Sequence, residues 1–336
     1  MGAQRRERHV SVKDVAARSG VSFQTTSKVL NGKGSVSDVT RARILRAARE
    51  LGYVPNLLAR SLVMHATRAI GLVAGDLSDH NLSRFIVGAE QEARHRGYSV
   101  IVTGVDNAGT GGGEALPALI ERRVDGILLA APDLEVERGS RPVQGDVPIV
   151  SLHHVAVRVN AVVGCDDEMI GRVATAHLVE RGHRRIATLI GPRARRATTG
   201  RLAGYRRALD DGGVAFDEAL VVDGGDTIEL ARAATRALLE RHPDVTAVFA
   251  QNDTMAVGAL AALRELGRSV PAECAVVGCD DIEVAAYTAP PLTTVRVPFN
   301  RVGEEAMRML LDTIEEAAPG PPPAPLPVEL VVRAST

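Results

Sequence analysis

Side chains that could carry out catalysis occur throughout this 336-residue chain, but they lack the spacing that catalysis requires. There is no Gly-x-Ser-x-Gly turn of a serine hydrolase. The glycine-rich words, Gly32-Lys33-Gly34 and Gly109 to Gly113, lack the phosphate-loop pattern or its strand and helix context. His177 and His183 are six residues apart, off one helical face, and His183 follows Gly182 where a helix end is predicted. These residues argue against an enzyme and favour a binding protein.

The three cysteines, Cys165, Cys274 and Cys279, are an odd number at no metal-ligand spacing. We therefore expect neither a disulfide framework nor a metal site, and no cofactor. The first ten residues, MGAQRRERHV, have no apolar core like that of a signal peptide, and no stretch approaches a membrane-spanning apolar length. The sequence thus predicts a soluble, cytoplasmic protein with no membrane partner.

A different chemistry, hydrogen bonding to base edges, is available to the segment from Ser11 to Asn31. Ser11 can cap a first helix, with Asp14 three residues on completing a box-like N-terminus. Gly20 stands where a helix end needs a residue tolerant of positive φ, and Ser22 can cap a second helix from Phe23 to Leu30. Two short helices joined by a tight turn form a helix-turn-helix, although a plain surface hairpin of helices has the same pattern.

On the second helix Val29 and Leu30 can face inward, which leaves hydrogen-bonding side chains for a groove of double-stranded DNA. The predicted DNA-contacting residues of this segment are Ser22, Phe23, Gln24, Thr25, Ser27, Lys28 and Asn31. We expect Gln24 and Lys28 to read base edges. Ser37 can cap a third helix with Ile44, Leu45, Ala48 and Leu51 on one face.

The charge of the chain is divided unevenly. Residues 1–68 hold 13 Lys and Arg against 4 Asp and Glu, a net charge of +9, whereas the remaining residues hold 27 against 37, a net charge of −10. A compact basic module joined to an acidic body is the electrostatic pattern of a protein that binds a polyanion through one part only.

The words KDVAARSGVS, SKVLNGKG, VS, ARELGYVPN and ARSL, in this order and spacing, resemble the LacI/GalR family of bacterial transcriptional regulators, and the resemblance continues to Thr336. It implies a ligand-responsive repressor of a metabolic operon that binds a pseudo-palindromic operator as a homodimer. The expected domains are a helix-turn-helix module (1–55), a hinge helix and linker (56–68) and an effector-binding and dimerisation body (69–336). The alternative is a solute-binding protein of the same body fold without a regulatory role in DNA binding, which the basic module and the absent export signal disfavour.

The segment from Pro55 to Leu62 has too few residues to be a stable helix alone in water. The resemblance implies a hinge helix that pairs with its dimer mate in the minor groove, where Leu62 would wedge into the central base step. A plain linker is the other interpretation. Thr26 departs from the family, which usually has an apolar residue there, and a buried hydroxyl would need a local backbone acceptor.

From Ala69 onward apolar runs alternate with helical patterns, which predicts an α/β body with parallel sheets and helices on both faces. The resemblance implies two lobes like those of periplasmic binding proteins, with Leu292 to Phe299 returning to the first lobe and Pro327 to Arg333 to the second. The predicted strands are Ala69 to Ala74, Ser99 to Thr103, Gly126 to Ala130, Pro148 to Leu152, Arg185 to Ile190, Ala247 to Ala250 and Ala275 to Gly278. The predicted helices are Arg84 to Arg96, Met169 to Arg181, Arg201 to Asp211, Glu229 to Glu240, Thr254 to Leu266 and Arg301 to Glu315.

Ligands of such sheets bind beyond the carboxyl ends of the strands, so the residues after each strand should line a cleft. The resemblance places Arg201, Asn252 and Asp280 at effector-contacting positions, and Arg195 coincides with an arginine that purine-responsive members use. The predicted effector-binding residues are Asp79, His153, Arg195, Arg201, Asp226, Asn252 and Asp280. We expect Asp253 and Asp281 to cap the helices that follow them.

The cleft departs from the family where aromatic side chains are usual. Asp79, His80, Asn81 and Leu82 stand in place of an Asn-Pro-Phe-Phe type turn, and Asp226 replaces an aromatic residue in the second lobe. Without aromatic walls, stacking on a sugar ring or a purine is in doubt. Arginines cluster on one side, within reach of two histidines: Arg193, Arg195, Arg196, Arg201, His153 and His154. The cluster favours an anionic or strongly polar effector such as a hydroxylated acid or a sugar phosphate, although Arg193 to Arg196 could equally form a solvated loop.

Overall fold

The computed structural model describes residues 10–31, 35–54, 66–75, 77, 80–105, 112–131, 147–152, 159–315 and 324–336. The predictions for Leu62, Asp79, His153 and His154 lie outside these residues, as does most of the predicted hinge. The chain divides into two compact units, Met1–Thr67 and Arg68–Thr336. Within the described ranges, no helix is long and apolar enough to cross a membrane.

Three short helices form the first unit: α1 (Val12–Ser19), α2 (Phe23–Leu30) and α3 (Asp38–Glu50). Each begins after the serine that was predicted to cap it. The Asp14 carboxylate accepts the Ser11 N–H at 2.8 Å, and Ser22 Oγ accepts the Thr25 N–H at 3.2 Å. Helix α1 ends at Gly20, whose φ of 62° is a left-handed conformation that glycine adopts without strain. The predicted helix-turn-helix is confirmed.

The apolar faces of the three helices meet in a small core, which contains Val15, Val29, Ile44, Ala47 and Ala48. The predicted burial of Leu45 is wrong, because this side chain is 42% exposed. With 3.6 residues per turn, Ala47 and Ala48 lie on the same face as Ile44, whereas Leu45 points about 100° away from it.

The second unit contains two mainly parallel sheets, as predicted. The first sheet has five parallel strands in the order β2-β1-β3-β4-β5. Its strands are β1 (Ala69–Ala74), β2 (Ser99–Gly104), β3 (Gly126–Ala130), β4 (Ile149–Ser151) and β5 (Ala161–Val162). Helices α4 (His80–His95) and α5 (Gly112–Glu121) pack on opposite faces, because alternate side chains of a strand point to opposite sides: Leu72 faces α4 and Val73 faces α5.

The second sheet has six strands in the order β11-β10-β9-β8-β6-β7, of which only β11 is antiparallel to its neighbour. Its strands are β6 (Ile186–Ile190), β7 (Val221–Asp223), β8 (Ala247–Ala250), β9 (Ala275–Asp280), β10 (Thr293–Arg296) and β11 (Glu329–Val331). Its helices are α6 (Asp167–Glu180), α7 (Arg196–Asp211), α8 (Ile228–Arg241) and α9 (Asp253–Glu265). The seven predicted strands and six predicted helices of this unit are all present; β1, β3 and β8 have the predicted ends, and the other elements have shifted ends. The unpredicted β5 and β7 have two and three residues, too few to show a period.

Helix α10 (Phe299–Ile314) carries the chain back to the first sheet. Its residues Met307 and Leu310 share a core with Ile70, Leu72 and Phe85. The prediction that Leu292 to Phe299 returns to the first lobe is therefore wrong, because this segment contains β10 of the second sheet and only α10 crosses over. The return of Pro327 to Arg333 to the second lobe is confirmed by β11, which pairs with β10.

Candidate DNA-reading helix and effector cleft

Helix α2 presents a small set of side chains to solvent. Phe23 is 50% exposed, Gln24 and Lys28 are exposed, and Val29 is buried behind them. Gln24 and Lys28 are four residues apart and so lie on one face. Within the described residues, neither side chain makes a hydrogen bond, so both are available to a ligand.

The other predicted contacts of α2 are partly occupied by hydrogen bonds within the helix. Ser22 Oγ donates to Thr25 Oγ1 at 2.9 Å besides accepting the Thr25 N–H, and Asn31 Nδ2 donates to the Ser27 carbonyl at 2.9 Å. Ser22, Thr25, Ser27 and Asn31 therefore hold the two ends of the helix. Phe23, Gln24 and Lys28 are the exposed side chains of α2 that make no such bond within the described residues.

Thr26 lies on the opposite, buried face of α2. Its side chain is fully buried, and its Oγ1 has no hydrogen-bond partner among the residues that the structure describes. The local backbone acceptor that a buried hydroxyl requires is thus missing there. An unsatisfied buried hydroxyl costs about 1–3 kcal/mol, so this position lowers the stability of the module.

The candidate effector cleft lies at the carboxyl ends of the strands of the second sheet. Arg201, in the second turn of α7, lies there with its guanidinium directed at three oxygens. Nε is 3.1 Å from Asp167 Oδ1, one terminal nitrogen donates to the Gln251 carbonyl, and the same nitrogen is 4.0 Å from Asp280 Oδ1. The guanidinium of Arg201 in the cleft is therefore already bound by oxygens of the protein.

Asp280, the last residue of β9, is the acceptor at the centre of this site. It is 4% exposed, and its φ of 113° is a backbone conformation that residues other than glycine rarely adopt. Cys279 Sγ donates to Oδ1 at 3.4 Å, and Asn81 Nδ2, from the first turn of α4, donates to Oδ2 at 2.6 Å. The carboxylate is therefore fixed in orientation and contacts residues from both sheets.

Asp253 lies beneath Asp280 and is fully buried. Its oxygens accept the Thr294 hydroxyl at 2.6 Å and the Ile282 N–H at 2.9 Å. Burial, with a contribution from the Asp280 charge, raises the pKa of Asp253 to about 8. Gly278 is required above it, because a Cβ at that position would lie 2.1 Å from Asp253 Oδ1.

Neither predicted capping aspartate caps the following helix. Asn252 caps α9, with Oδ1 accepting the Met255 N–H at 2.7 Å, whereas Asp253 is already inside that helix. The capping role predicted for Asp253 is therefore wrong. That of Asp281 is wrong as well, because its carboxylate binds Arg296 at 2.7 Å and Arg333 at 2.6 Å.

The predicted arginine cluster is divided among carboxylates. Arg195 contacts Asp226 at 3.4 Å, so two of the predicted effector residues bind each other. Arg193 contacts Glu218 at 3.4 Å, and the other oxygen of Glu218 is 3.0 Å from Arg206. Among the described members of the cluster, Arg193, Arg195 and Arg201 are thus paired with carboxylates, and the exposed Arg196 forms no ion pair.

Asn81, Asp167 and Gln251 were not among the predicted effector-binding residues, although Asn81 and Gln251 lie in the segments after strands that were expected to line the cleft. Asp167 and Gln251 hold Arg201, and Asn81 contacts Asp280 from the other sheet. Asn81 lies in the turn where the sequence departs from the family, but its partner Asp280 lies 199 positions away in the chain. No local pattern could have paired these residues.

These features define a helix-turn-helix DNA-binding module joined to a two-lobed ligand-binding body. Residues 11–56 match the model of bacterial regulatory proteins of the lacI family, and residues 175–336 match that of the periplasmic binding protein-like domain. The chain belongs to the LacI family and is a DNA-binding transcriptional regulator that responds to a small-molecule ligand.

Two curated relatives cover nearly the whole chain. The HTH-type transcriptional regulator CelR of Thermobifida fusca is 38% identical over 98% of this chain and 99% of its own length. The HTH-type transcriptional repressor CytR of Escherichia coli is 32% identical over 100% of this chain and 99% of its own.

Two solved structures agree with the fold. The lac repressor dimer bound to operator and the anti-inducer ONPF has a TM-score of 0.86 at 30% identity, covering 98% of this chain and 99% of that one. The CelR–cellobiose complex has a TM-score of 0.73 at 36% identity, covering 98% and 100%. Both match the chain across its whole length, which agrees with the two family models.

Proposed function

We propose that this chain is a cytoplasmic, homodimeric repressor of a metabolic operon, a binding protein without catalytic activity, whose operator affinity changes when a hydroxyl-rich small molecule enters the cleft. The observation that carries the proposal is the Asp280–Arg201 arrangement, a buried acceptor and a partly buried donor whose atoms are 4.0 Å apart at the carboxyl edge of the second sheet. Adjacent hydroxyl groups of a sugar fit this pair, because one can donate to the carboxylate and the next can accept from the guanidinium.

The charges of the cleft decide between a neutral and an anionic effector. Arg201, Arg195 and Arg193 each face a carboxylate, so none of these three offers an uncompensated positive charge to a phosphate, and of the described arginines of the cluster only the exposed Arg196 forms no ion pair. A neutral sugar needs no such charge. We therefore favour a neutral or weakly charged hydroxylated effector over the sugar phosphate that the sequence suggested.

The proposed effector contacts are Arg201 and Asp280 at the centre, with Asn252, Arg195 and Asp226 around them. Asp79 and His153 complete the proposed set from the first lobe. The proposed domains are the helix-turn-helix module (1–55), the hinge and linker (56–68) and the body (69–336).

On DNA, two modules of a dimer would occupy adjacent major-groove half-sites. Gln24 and Lys28 would contact base edges, while Leu62 would wedge into the minor groove between the half-sites. Leu62→Ala should then preserve folding and ligand binding while abolishing most of the bending of the operator. A variant that bends the operator as strongly as the parent contradicts the role of Leu62.

The test begins with DNA fragments selected by the purified full chain, which should share one two-fold symmetric site. Cellobiose, the ligand solved with CelR, and glucose 6-phosphate then serve as a neutral and an anionic probe in calorimetry and operator titration. Arg201→Ala should keep operator affinity and lose the response to the active probe, whereas Arg207→Ala, an exposed arginine on the same helix, should keep both. Selected fragments without a symmetric site would contradict the proposed function, and tight binding of glucose 6-phosphate alone would contradict the neutral effector.

A further inference from the structure

Asn81 and Asp280 join the two sheets of the second unit by one short hydrogen bond. Asn81 lies in the first turn of α4, which packs on the first sheet, and Asp280 ends β9 of the second sheet. The donor amide nitrogen is 2.6 Å from Asp280 Oδ2. Because the acceptor is a carboxylate that is 4% exposed, the bond is charge-assisted and largely shielded from water, which makes it one of the stronger kinds of hydrogen bond.

Asp280 cannot turn its carboxylate to another partner without breaking several contacts. Its Oδ1 accepts from Cys279 Sγ and lies 4.0 Å from Arg201, and its backbone has a φ of 113°. Oδ2 is therefore held in place facing α4. Any ligand group that donates to Oδ2 approaches the oxygen that Asn81 already binds.

We infer that Asn81 is a further specificity-determining residue of the effector cleft, and that its bond to Asp280 is a clasp between the lobes which competes with the effector for the same carboxylate oxygen. The inference rests on the proposed function in one respect, namely that Asp280 is an effector contact. The clasp itself depends only on the geometry of the second unit.

The clasp selects for the chemistry of the ligand. An effector that displaces the Asn81 amide must itself donate a hydrogen bond to Oδ2, as a hydroxyl group does. A carboxylate or phosphate placed there would lie against the Asp280 charge without a proton to donate, and it would be repelled. The effector therefore presents a neutral hydroxyl to this point, and any charged group it carries lies elsewhere.

The clasp can be tested without a ligand by exchanging its two partners in the full chain. Asn81→Asp places a second carboxylate at the clasp and should open it, and Asn81→Ala should remove it. The double variant Asn81→Asp/Asp280→Asn restores one amide and one carboxylate with their roles exchanged. Gln91→Ala removes an exposed amide from the same helix and serves as the matched control.

Hydrogen–deuterium exchange of peptides covering residues 80–95 and 276–287 reports the two sides of the clasp. The Ile282 amide, bonded to Asp253, is a protected probe close to Asp280. Exchange should rise by about tenfold to a hundredfold in Asn81→Asp, as expected for the loss of a hydrogen bond to a charged group. It should rise less in Asn81→Ala and return to within about threefold of the parent in the double variant.

The clasp is contradicted if Asn81→Asp exchanges as slowly as the parent and the Gln91→Ala control. It is also contradicted if the double variant exchanges as fast as Asn81→Asp while circular dichroism shows that both variants are folded. Operator binding by the same proteins is measured separately. A protein that fails to bind a symmetric operator contradicts the proposed function and leaves the exchange result valid, so the two failures are distinguishable.

Discussion

The guanidinium carbon of Arg68 lies 4.8 Å from the centre of the Tyr98 ring, at the point where the chain enters the second unit. Further bonds hold the same residue: the Arg68 N–H donates to Asp125 Oδ2 at 2.8 Å, and its Nη1 donates to the Arg96 carbonyl at 3.2 Å. Arg96 in turn contacts Asp312 of α10 at 3.1 Å. The first residue of the second unit is thus anchored directly to two segments of the first lobe, 96–98 and Asp125, and through Arg96 to a third.

Replacing Arg68 should destabilise the second unit. The size of the effect should depend on how well the new residue tolerates a positive φ. Arg68→Ala loses the ring contact and one hydrogen bond, about 1–2 kcal/mol of unfolding free energy. Arg68→Gly loses the same contacts, but the φ of 55° suits glycine better than alanine. Urea unfolding should therefore find Arg68→Gly at least as stable as Arg68→Ala. A clearly less stable glycine variant would show that backbone strain at this position is unimportant.

The buried hydroxyl of Thr26 should make Thr26→Val a stabilising change. Valine has nearly the same shape and removes the unsatisfied oxygen, so the free energy of opening of α2 should increase by about 1–2 kcal/mol. Native-state hydrogen exchange of the α2 amides measures it in the full chain. Thr25→Val is the control, because the Thr25 hydroxyl accepts from Ser22 and its removal should give no gain. Equal effects of the two variants would exclude the explanation.

The buried carboxyl of Asp253 should make stability fall as pH rises. Its pKa is about 8 in the folded chain against an ordinary value of 3.8, so the folded state retains a proton that the unfolded state has lost between these values. The stabilisation is complete below about pH 4 and is lost progressively up to about pH 8, at up to ~1.4 kcal/mol per pH unit. Asp253→Asn cannot ionise and should remove this slope.

The measurement is urea unfolding of both proteins at a series of pH values, in which the difference between them isolates the Asp253 titration. Asp281→Asn provides a contrast of opposite sign, because the stabilisation by Asp281 is present above about pH 4 and is lost as pH falls below that value. Burial acts to raise the pKa of Asp281, but Arg333 and Arg296 hold that pKa below its ordinary value. A constant difference between the parent and Asp253→Asn across pH 4–8 would show that Asp253 titrates normally.

On DNA, Gln24→Ala should relax the base preference at one position of each half-site, at a cost of about 1–3 kcal/mol for the preferred base. Binding-site selection before and after the change measures the profile. Lys13→Ala, an exposed lysine on α1, should weaken binding to all sequences alike and reduce its salt dependence. If Gln24→Ala gives the parent's base profile with weaker binding, Gln24 contacts only phosphate.

Local features of this chain were predictable because their causes are local. Ser11, Ser22 and Ser37 cap the three helices as predicted, since a cap depends on residues three positions apart. The meeting of Arg201 and Asp280 beyond the strand ends was also predictable, because the carboxyl ends of parallel strands share one edge of a sheet.

Some failures are local, such as the capping roles of Asp253 and Asp281, but the larger ones concern partners that are distant in sequence. The placement of β10 was wrong because the two lobes are built alike, and an apolar strand pattern does not say which sheet it joins. The arginine cluster was misjudged for a related reason. The arginines are close together in the sequence, but their partners are not. Asp226 lies 31 positions from Arg195, Glu218 lies 25 positions from Arg193, and each pair comes together only in the fold.

Helix α10 also determines when the first lobe can fold during synthesis. Its residues 299–314 complete a core whose other members begin at Ile70, so the ribosome has translated every residue from Ile70 to Ile314 before this layer can close. Domains of large proteins commonly fold as they emerge, and apolar surface left uncovered in the meantime favours aggregation. The second sheet, apart from its edge strand β11, emerges before α10 and can form first. The nascent chain therefore completes its second lobe almost entirely before its first, in an order opposite to that of the sequence.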